Sequence, residues 1–238
     1  MGDTYQAITI EEDFYAIVDD FTRCYLLAGD KMALLIDTGV SGGDLRGFCQ
    51  TLTDLPIRVV NTHADPDHVA ANGQFDYFYL HPAEYEHAQA IGLSLEKVQP
   101  IWEGDTFMLD KWLVEAVLIP GHTPGGLALW EKNRGWLFTG DTVQNGNILL
   151  AGPGRSIPAF RASIDKLRRM KAGITRIYGA HGDLALPADY LDGIAAVAAQ
   201  MAAGKLQGMI SDDPHLPRPD FQKFTNGQVN LLILPEEK

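Results

Sequence analysis

Six residues, His63-Ala-Asp-Pro-Asp-His68, hold two imidazoles and two carboxylates. Ionisable groups are costly to bury unless they are paired or bind a metal. The apolar run just before them, residues 57–60, reads as a buried strand. Imidazole and carboxylate are the donors that divalent first-row metals take. The pattern recurs along the chain. Residues 34–39 deliver Asp37, residues 118–124 deliver His122, residues 136–142 deliver Asp141, and residues 177–182 deliver His181. Each apolar run ends in a turn marked by Gly or Pro. Strand ends can converge on one crevice in layered α/β folds, and small residues let the backbone turn tightly beside it. Two metals sharing a carboxylate and a bridging hydroxide would account for about six or seven such ligands.

These donors need strands to carry them. Residues 14–18, 21–27 and 31–36 read as early strands joined by turns at Asp19-Asp20 and Gly29-Asp30. Leu45, Phe48, Cys49, Leu52 and Leu55 repeat at helical spacing. Residues 57–61 and 77–80 read as strands, with a short helix after Pro66 and a helix over 83–98. In the second half, residues 112–119, 127–131, 135–139 and 174–178 read as strands. Phe160, Ile164, Leu167 and Met170 form one helical stripe, and Leu191, Ile194, Val197 and Met201 a second, closed by Gly204. Residues 229–234 read as a last strand. Helices punctuate strands throughout, which predicts an α/β layered arrangement. No internal linker stands out, so residues 1–238 read as a single domain with 206–238 as a C-terminal extension.

Composition limits the partners. The chain has 238 residues and a net charge of -12, which argues against a nucleic-acid backbone or an anionic membrane as partner. A small-molecule substrate is expected; the oligomeric state is not readable. Cys24 and Cys49 form no CxxC pair and read as reduced core thiols, which fits a cytoplasmic location. The N-terminal residues show no apolar signal region.

His63-Ala-Asp-Pro-Asp-His68 in the manner of H-x-H-x-D-H, Gly121-His-Thr-Pro-Gly125, Gly140-Asp-Thr142 and His181-Gly182, preceded by Asp37-Thr-Gly39, together resemble the metallo-β-lactamase fold superfamily over residues 8–205. The resemblance implies an αββα sandwich. It implies one metal held by His63, the residue at 65 and His122, a second held by Asp67, His68 and His181, and Asp141 bridging them. Asp37 would be a supporting aspartate rather than a ligand. The superfamily includes thioester and lactone hydrolases, phosphodiesterases, nucleases, oxygenases and diiron reductases, so fold does not fix the reaction.

Asp65 departs from the pattern, since most hydrolases of the family have His there. One reading is helix capping, because Asp65-Pro66 fits an N-cap followed by Pro at N1. Another is direct ligation, which makes the cluster less positive and favours iron or manganese over zinc. A third is kinship with flavodiiron proteins, which carry a carboxylate at this position but need a flavin partner. The expected function is a metal-dependent hydrolase using two divalent ions, zinc or iron with manganese possible. A metal-bound hydroxide, oriented by Asp67, would attack an ester, thioester or lactone; a diiron redox protein is the alternative. Arg155 and Tyr178 are candidates for the pocket, with a solvated loop and core packing as their plainer readings. Trp102 and Trp112 read as core or a hydrophobic rim, and His81, His87 and His215 as surface histidines.

Overall fold

The computed structural model describes residues 5–211, 216 and 220–235. The chain divides into two compact units. The first comprises residues 1–118 and 127–134, the second residues 119–126 and 135–238.

The first unit opens with β1 (Tyr5–Glu11), β2 (Phe14–Asp19), β3 (Thr22–Ala28) and β4 (Ala33–Ile36), paired antiparallel in sequence order. Aspartates take the left-handed backbone in the first two tight turns, Asp13 at φ 63° and Asp20 at φ 58°, a conformation that Asp tolerates better than most residues. After β4 the chain switches to crossovers. Helix α1 (Leu45–Gln50) leads to β5 (Ile57–Val60), and α2 (Pro66–Val69) with a following 3-10 turn leads to β6 (Phe78–Leu80). Helix α3 (Tyr85–Ala90) then leads to β7 (Val98–Pro100). Strands β4 to β7 are parallel neighbours. Their C-terminal ends therefore open at one edge, and the loop after each carries polar residues to it.

The sequence predicted one helix over residues 83–98. The helix instead stops at Ala90, Gly92 takes φ 83°, and Val98 begins an edge strand. A glycine in that conformation ends a helix more readily than it continues one. Under the seven-stranded sheet, Ile17, Leu26, Leu35, Leu45, Cys49, Val59, Phe78 and Leu80 form one buried cluster. Each large side chain there contributes about 1.5–3 kcal/mol by leaving water. Both thiols are buried and unbridged, and burial pushes Cys49 up to about 12.

The first unit also contains an antiparallel meander of β8 (Thr106–Leu109), β9 (Trp112–Leu118) and β10 (Leu127–Glu131). The two tryptophans that the sequence grouped together part here. Trp112 is fully buried, donates its Nε1–H to Ala28 O at 2.7 Å and lies under the Arg134 guanidinium at 4.1 Å. Trp102 is 54% exposed.

In the second unit β11 (Trp136–Gly140) is followed by β12 (Asn147–Leu149), then by α4 (Ile157–Met170). Ser156 caps α4 by accepting from Ala159 N, and the buried stripe is Phe160, Ile164 and Leu167. The crossover returns β13 (Arg176–Gly179) parallel to β11. Helix α5 (Tyr190–Ala202) buries Leu191, Ile194 and Val197, and Gly204 takes φ 65° just past its end. The tail supplies β14 (Met209–Ile210), β15 (Gln222–Thr225) and β16 (Asn230–Ile233). These form a sheet that includes β12, which pairs parallel with β16. Among the described residues, no helix is long and apolar enough to cross a membrane.

Candidate metal centre

The first unit gathers its donors on the loop after β5. His63, Asp65 and His68 are buried, and Asp67 is half-buried in the single turn of α2. The donors fall into two pairs: His63 Nε2 lies 3.6 Å from Asp65 Oδ2, and His68 Nε2 lies 3.8 Å from Asp67 Oδ2. The two imidazole rings are 4.0 Å apart between centroids.

Asp37 organises this loop. It leaves the end of β4 at φ 62°, and its Oδ1 accepts from Thr62 N at 2.7 Å. Its Oδ2 accepts from Thr62 Oγ1 at 2.8 Å and from His68 Nδ1 at 2.9 Å. An ionised carboxylate only accepts, so His68 carries its hydrogen on Nδ1 and its lone pair on Nε2. Thr62 Oγ1 spends its hydrogen on Asp37 and sits 3.0 Å from His63 Nδ1, so His63 is the donor there too. One buried aspartate thus sets both tautomers, one directly and one through a threonine. Asn61 Nδ2 donates to His68 O at 2.9 Å, Thr38 N to His68 O at 2.9 Å, and Asn72 Nδ2 to Asn61 Oδ1 at 2.8 Å. Both Asp37 oxygens, Thr62 Oγ1, Asn61 Nδ2 and Asn72 Nδ2 thus find their partners inside the unit.

Of the readings open for Asp65, side-chain capping of the helix is the one the structure does not show. Asp65 occupies the N-cap position with extended backbone, but its side chain makes no capping hydrogen bond. Its Oδ1 instead accepts from His87 Nε2 at 2.7 Å. The expectation that His87 is a surface histidine fails, because it is half-buried against Asp65. The same holds for His81, which is 7% exposed, accepts from Ala83 N on Nδ1 and packs edge-on against Trp102. Burial lowers the His81 pKa, with Glu84 pulling the other way. His215 lies outside the described residues.

The second unit brings three donors from three strand ends. Asp141 follows β11. Its Oδ2 lies 3.8 Å from His122 Nε2 and its Oδ1 lies 3.2 Å from His181 Nε2. His122 Nδ1 donates to Leu149 O at 2.8 Å, which leaves the lone pair on Nε2. Backbone holds these loops. Ser156 N donates to Gly121 O, Ser163 Oγ to Pro120 O, and Ala180 N to Gly140 O. Gly121, at φ 138°, lies so close to α4 that a Cβ would meet the Phe160 backbone at 2.3 Å. Gly182, at φ 71°, faces Asn145 O in the same way. Only glycine fits either place.

Arg155 is half-buried in the loop between β12 and α4. Tyr178 is core, stacked on Phe138 with centroids 5.4 Å apart. The residues that sequence reasoning missed are His87 and Glu84, a buried carboxylate whose Oε2 accepts from Ala64 N at 3.0 Å. Neither sits in a motif. The usable signal was that β5 and β6 are consecutive parallel strands, whose following loops must open at one edge.

Each unit's donors suit divalent cations: two imidazoles with Nδ1 engaged and two carboxylates in the first, two imidazoles and one carboxylate in the second.

A family model described as the metallo-beta-lactamase superfamily matches residues 17–181. Among curated proteins, the acyl-coenzyme A thioesterase MBLAC2 of Bos taurus is 28% identical over 199 residues, covering 66% of this chain and 71% of its own. The hydroxyacylglutathione hydrolase of Bdellovibrio bacteriovorus is 25% identical over 171 residues, covering 70% of this chain. The match spans 61% of that hydrolase's length, less than two thirds. Among solved structures, a metallo-beta-lactamase from Pontibacter korlensis superposes with a TM-score of 0.71 at 15% identity, covering 82% of this chain and 99% of that one. The DIM-1 metallo-beta-lactamase does so with a TM-score of 0.71 at 14% identity, covering 83% and 98%.

Proposed function

This chain belongs to the metallo-β-lactamase superfamily, and from that premise we propose that it hydrolyses a thioester with two divalent cations. It is a metal-dependent hydrolase; the thioester and the pair of ions are the finer reading. One ion would be held by His63, Asp65 and His122, the other by Asp67, His68 and His181, with Asp141 shared. The observation that carries this is the pairing of donors inside each unit. In the first unit His63 goes with Asp65 and His68 with Asp67. In the second, the two Asp141 oxygens face different imidazoles, which would suit a carboxylate shared between two ions.

When bound, two divalent cations supply Lewis acidity, making water nucleophilic near neutral pH and polarising a carbonyl. The protein's own groups do the rest. Asp37 and Thr62 hold His63 and His68 in the one tautomer that presents Nε2. Asp67, more exposed than the other three donors on its loop, accepts the hydrogen of the attacking water and orients its lone pair. The thiolate leaving group needs little protonation, because its pKa is low compared with an alkoxide. Thioesters are favoured over other acyl substrates because both the coenzyme A and the glutathione hydrolases named above act on them.

Asp65 in place of an imidazole gives a harder, more negative donor set, which favours iron or manganese over zinc. The test combines elemental analysis with turnover. Wild type should carry close to two ions and hydrolyse acyl-coenzyme A or acylglutathione thioesters. Asp141→Ala should lose at least one ion and reduce turnover by roughly a thousandfold or more while keeping its fold. Asp65→His should shift the bound metal toward zinc. Full metal content and full turnover in Asp141→Ala would refute the reading.

A further inference from the structure

We propose that His87 is a positioning residue of the metal centre: its Nε2–H holds Asp65 Oδ1 and so reserves Oδ2 as the single ligand atom at position 65. This rests on the ligand assignment proposed above and concerns how this chain makes a carboxylate work there.

An imidazole presents one lone pair along one direction. A carboxylate presents two oxygens on a bond that rotates, so it can bind through either oxygen or through both. A ligand with that freedom is poorly preorganised unless a neighbour removes it. His87 is placed to do so. Its Nε2 is 2.7 Å from Asp65 Oδ1, while the other oxygen lies 3.6 Å from His63 Nε2. The carboxylate can only accept, so the hydrogen is on His87.

The scaffold behind His87 is fixed as well. Strands β5 and β6 are parallel neighbours, with Val60 opposite Tyr79. The segment after β6 therefore lies against the loop after β5. Glu84, the last residue of the 3-10 turn Pro82–Glu84, is buried and accepts from Ala64 N at 3.0 Å. Three residues later, on the first turn of α3, His87 reaches Asp65. Two successive residues of the metal loop, Ala64 and Asp65, are thus held by two residues of one neighbouring segment. A solvated surface histidine would have no reason for such registration. A capping aspartate would have turned its oxygen to the α2 backbone, which Asp65 does not do.

The test uses the full chain as wild type, His87→Phe, His87→Gln, Asp65→Ala and the double variant His87→Phe/Asp65→Ala. Affinity for Zn2+ and Mn2+ is measured by competition with a chromophoric chelator, and the stability of the metal-free protein by denaturation. His87→Phe, which fills the space without donating, should weaken one of the two ions by ten- to a hundredfold and leave metal-free stability close to wild type. His87→Gln keeps an N–H donor and should recover most of that loss. In the Asp65→Ala background the Phe substitution should add nothing, because the acceptor of the His87 hydrogen is already gone. The proposal is overturned if His87→Phe binds both ions as tightly as wild type. It is equally overturned if the loss tracks destabilisation of the metal-free protein without rescue by Gln, or if the two substitutions are additive. A wild type that binds no metal would sink the ligand assignment itself; a wild type with two ions and an unaffected His87→Phe would sink only the role of His87.

Discussion

In the first unit the four donors lie within six residues of one loop, and side chains from other segments hold them. Asp37 comes from the end of β4, Asn72 from the turn after α2, Glu84 from the turn after β6 and His87 from α3. In the second unit the three donors come from three strand ends, and main-chain groups do most of the holding, helped by one serine hydroxyl. His122 leans on a carbonyl, Leu149 O, and its loop is sewn to α4 through Ser156 N and Ser163 Oγ. A loop with many donors close together needs many groups to orient each one. Donors on separate strand ends are oriented by the strands, and need only that the backbone pass closely enough. The first design should fail gradually, one hydrogen bond at a time. The second should fail abruptly, where a backbone approach is blocked.

The largest effect is expected where the backbone has no slack. Gly121→Ala puts a Cβ 2.3 Å from the Phe160 backbone at a φ of 138°. Strain and overpacking together should cost about 3–5 kcal/mol, lowering the melting temperature by roughly 6–20 °C or leaving the protein insoluble. A Gly121→Ala variant that melts within a degree or two of wild type would break the comparison, since the second unit would then have slack.

Asp37→Asn probes the other design at its centre. Asn tolerates the left-handed backbone at φ 62°, so the main chain should stay in place. One of the two oxygens becomes an NH2 that confronts an existing donor, either Thr62 N–H or the hydrogens of Thr62 Oγ1 and His68 Nδ1. Leaving a buried donor unsatisfied should cost about 1–3 kcal/mol. Because Asp37 sets the His63 tautomer through Thr62 as well as that of His68, both of the proposed ions should weaken, each by ten- to a hundredfold. Chelator competition that shows only one ion affected would restrict Asp37 to His68 and remove the relay through Thr62.

What the sequence showed follows the same division. Strand ends with Asp or His were legible because each apolar run, such as 34–36 or 136–139, stops at a Gly-marked turn. The donors themselves sit in short local patterns, and the helix stripes of α4 and α5 fell within a few residues of their bounds. The supporting groups were illegible. Glu84 and His87 lie 20 and 22 residues from the positions they hold, and nothing local distinguishes them from residues of an ordinary surface helix. The helix expected over residues 83–98 hid them further, since Gly92 weakens that helix in the sequence but ends it in the structure. Strands β1, β7, β8, β12, β14 and β15 were also missed: β1, β7 and β14 are edge strands with little burial, which lack the alternation that marks a half-buried one, and β8, β12 and β15 are only three or four residues long. For Asp65 the sequence left capping and ligation open together. Position before a proline satisfies the capping preference on paper, and a long-range partner then took the side chain away.

The smallest expected effect tests whether ionisable scaffolding makes the first unit sensitive to pH where the second is not. His81, at the end of β6, accepts from Ala83 N on Nδ1 at 3.2 Å, and burial lowers its pKa. Folding therefore favours the neutral ring, while the unfolded chain takes up its proton near the ordinary value of about 6.5. Below that pH the unfolded state holds more protons, so this contribution to stability is complete above about 6.5 and shrinks as pH falls toward the folded value. Protonation also removes the Nδ1 lone pair, so protection of the Ala83 amide against hydrogen exchange should fall over the same range. His81→Asn keeps a side-chain acceptor for that amide and should flatten both curves in the metal-free protein. Amides of the second unit's loops, such as Ser156 N on Gly121 O, have carbonyl acceptors that do not titrate, and their protection should stay level through the same window. Equal pH sensitivity in the two units would mean that His81 does not set the pH response of the turn that carries Ala83.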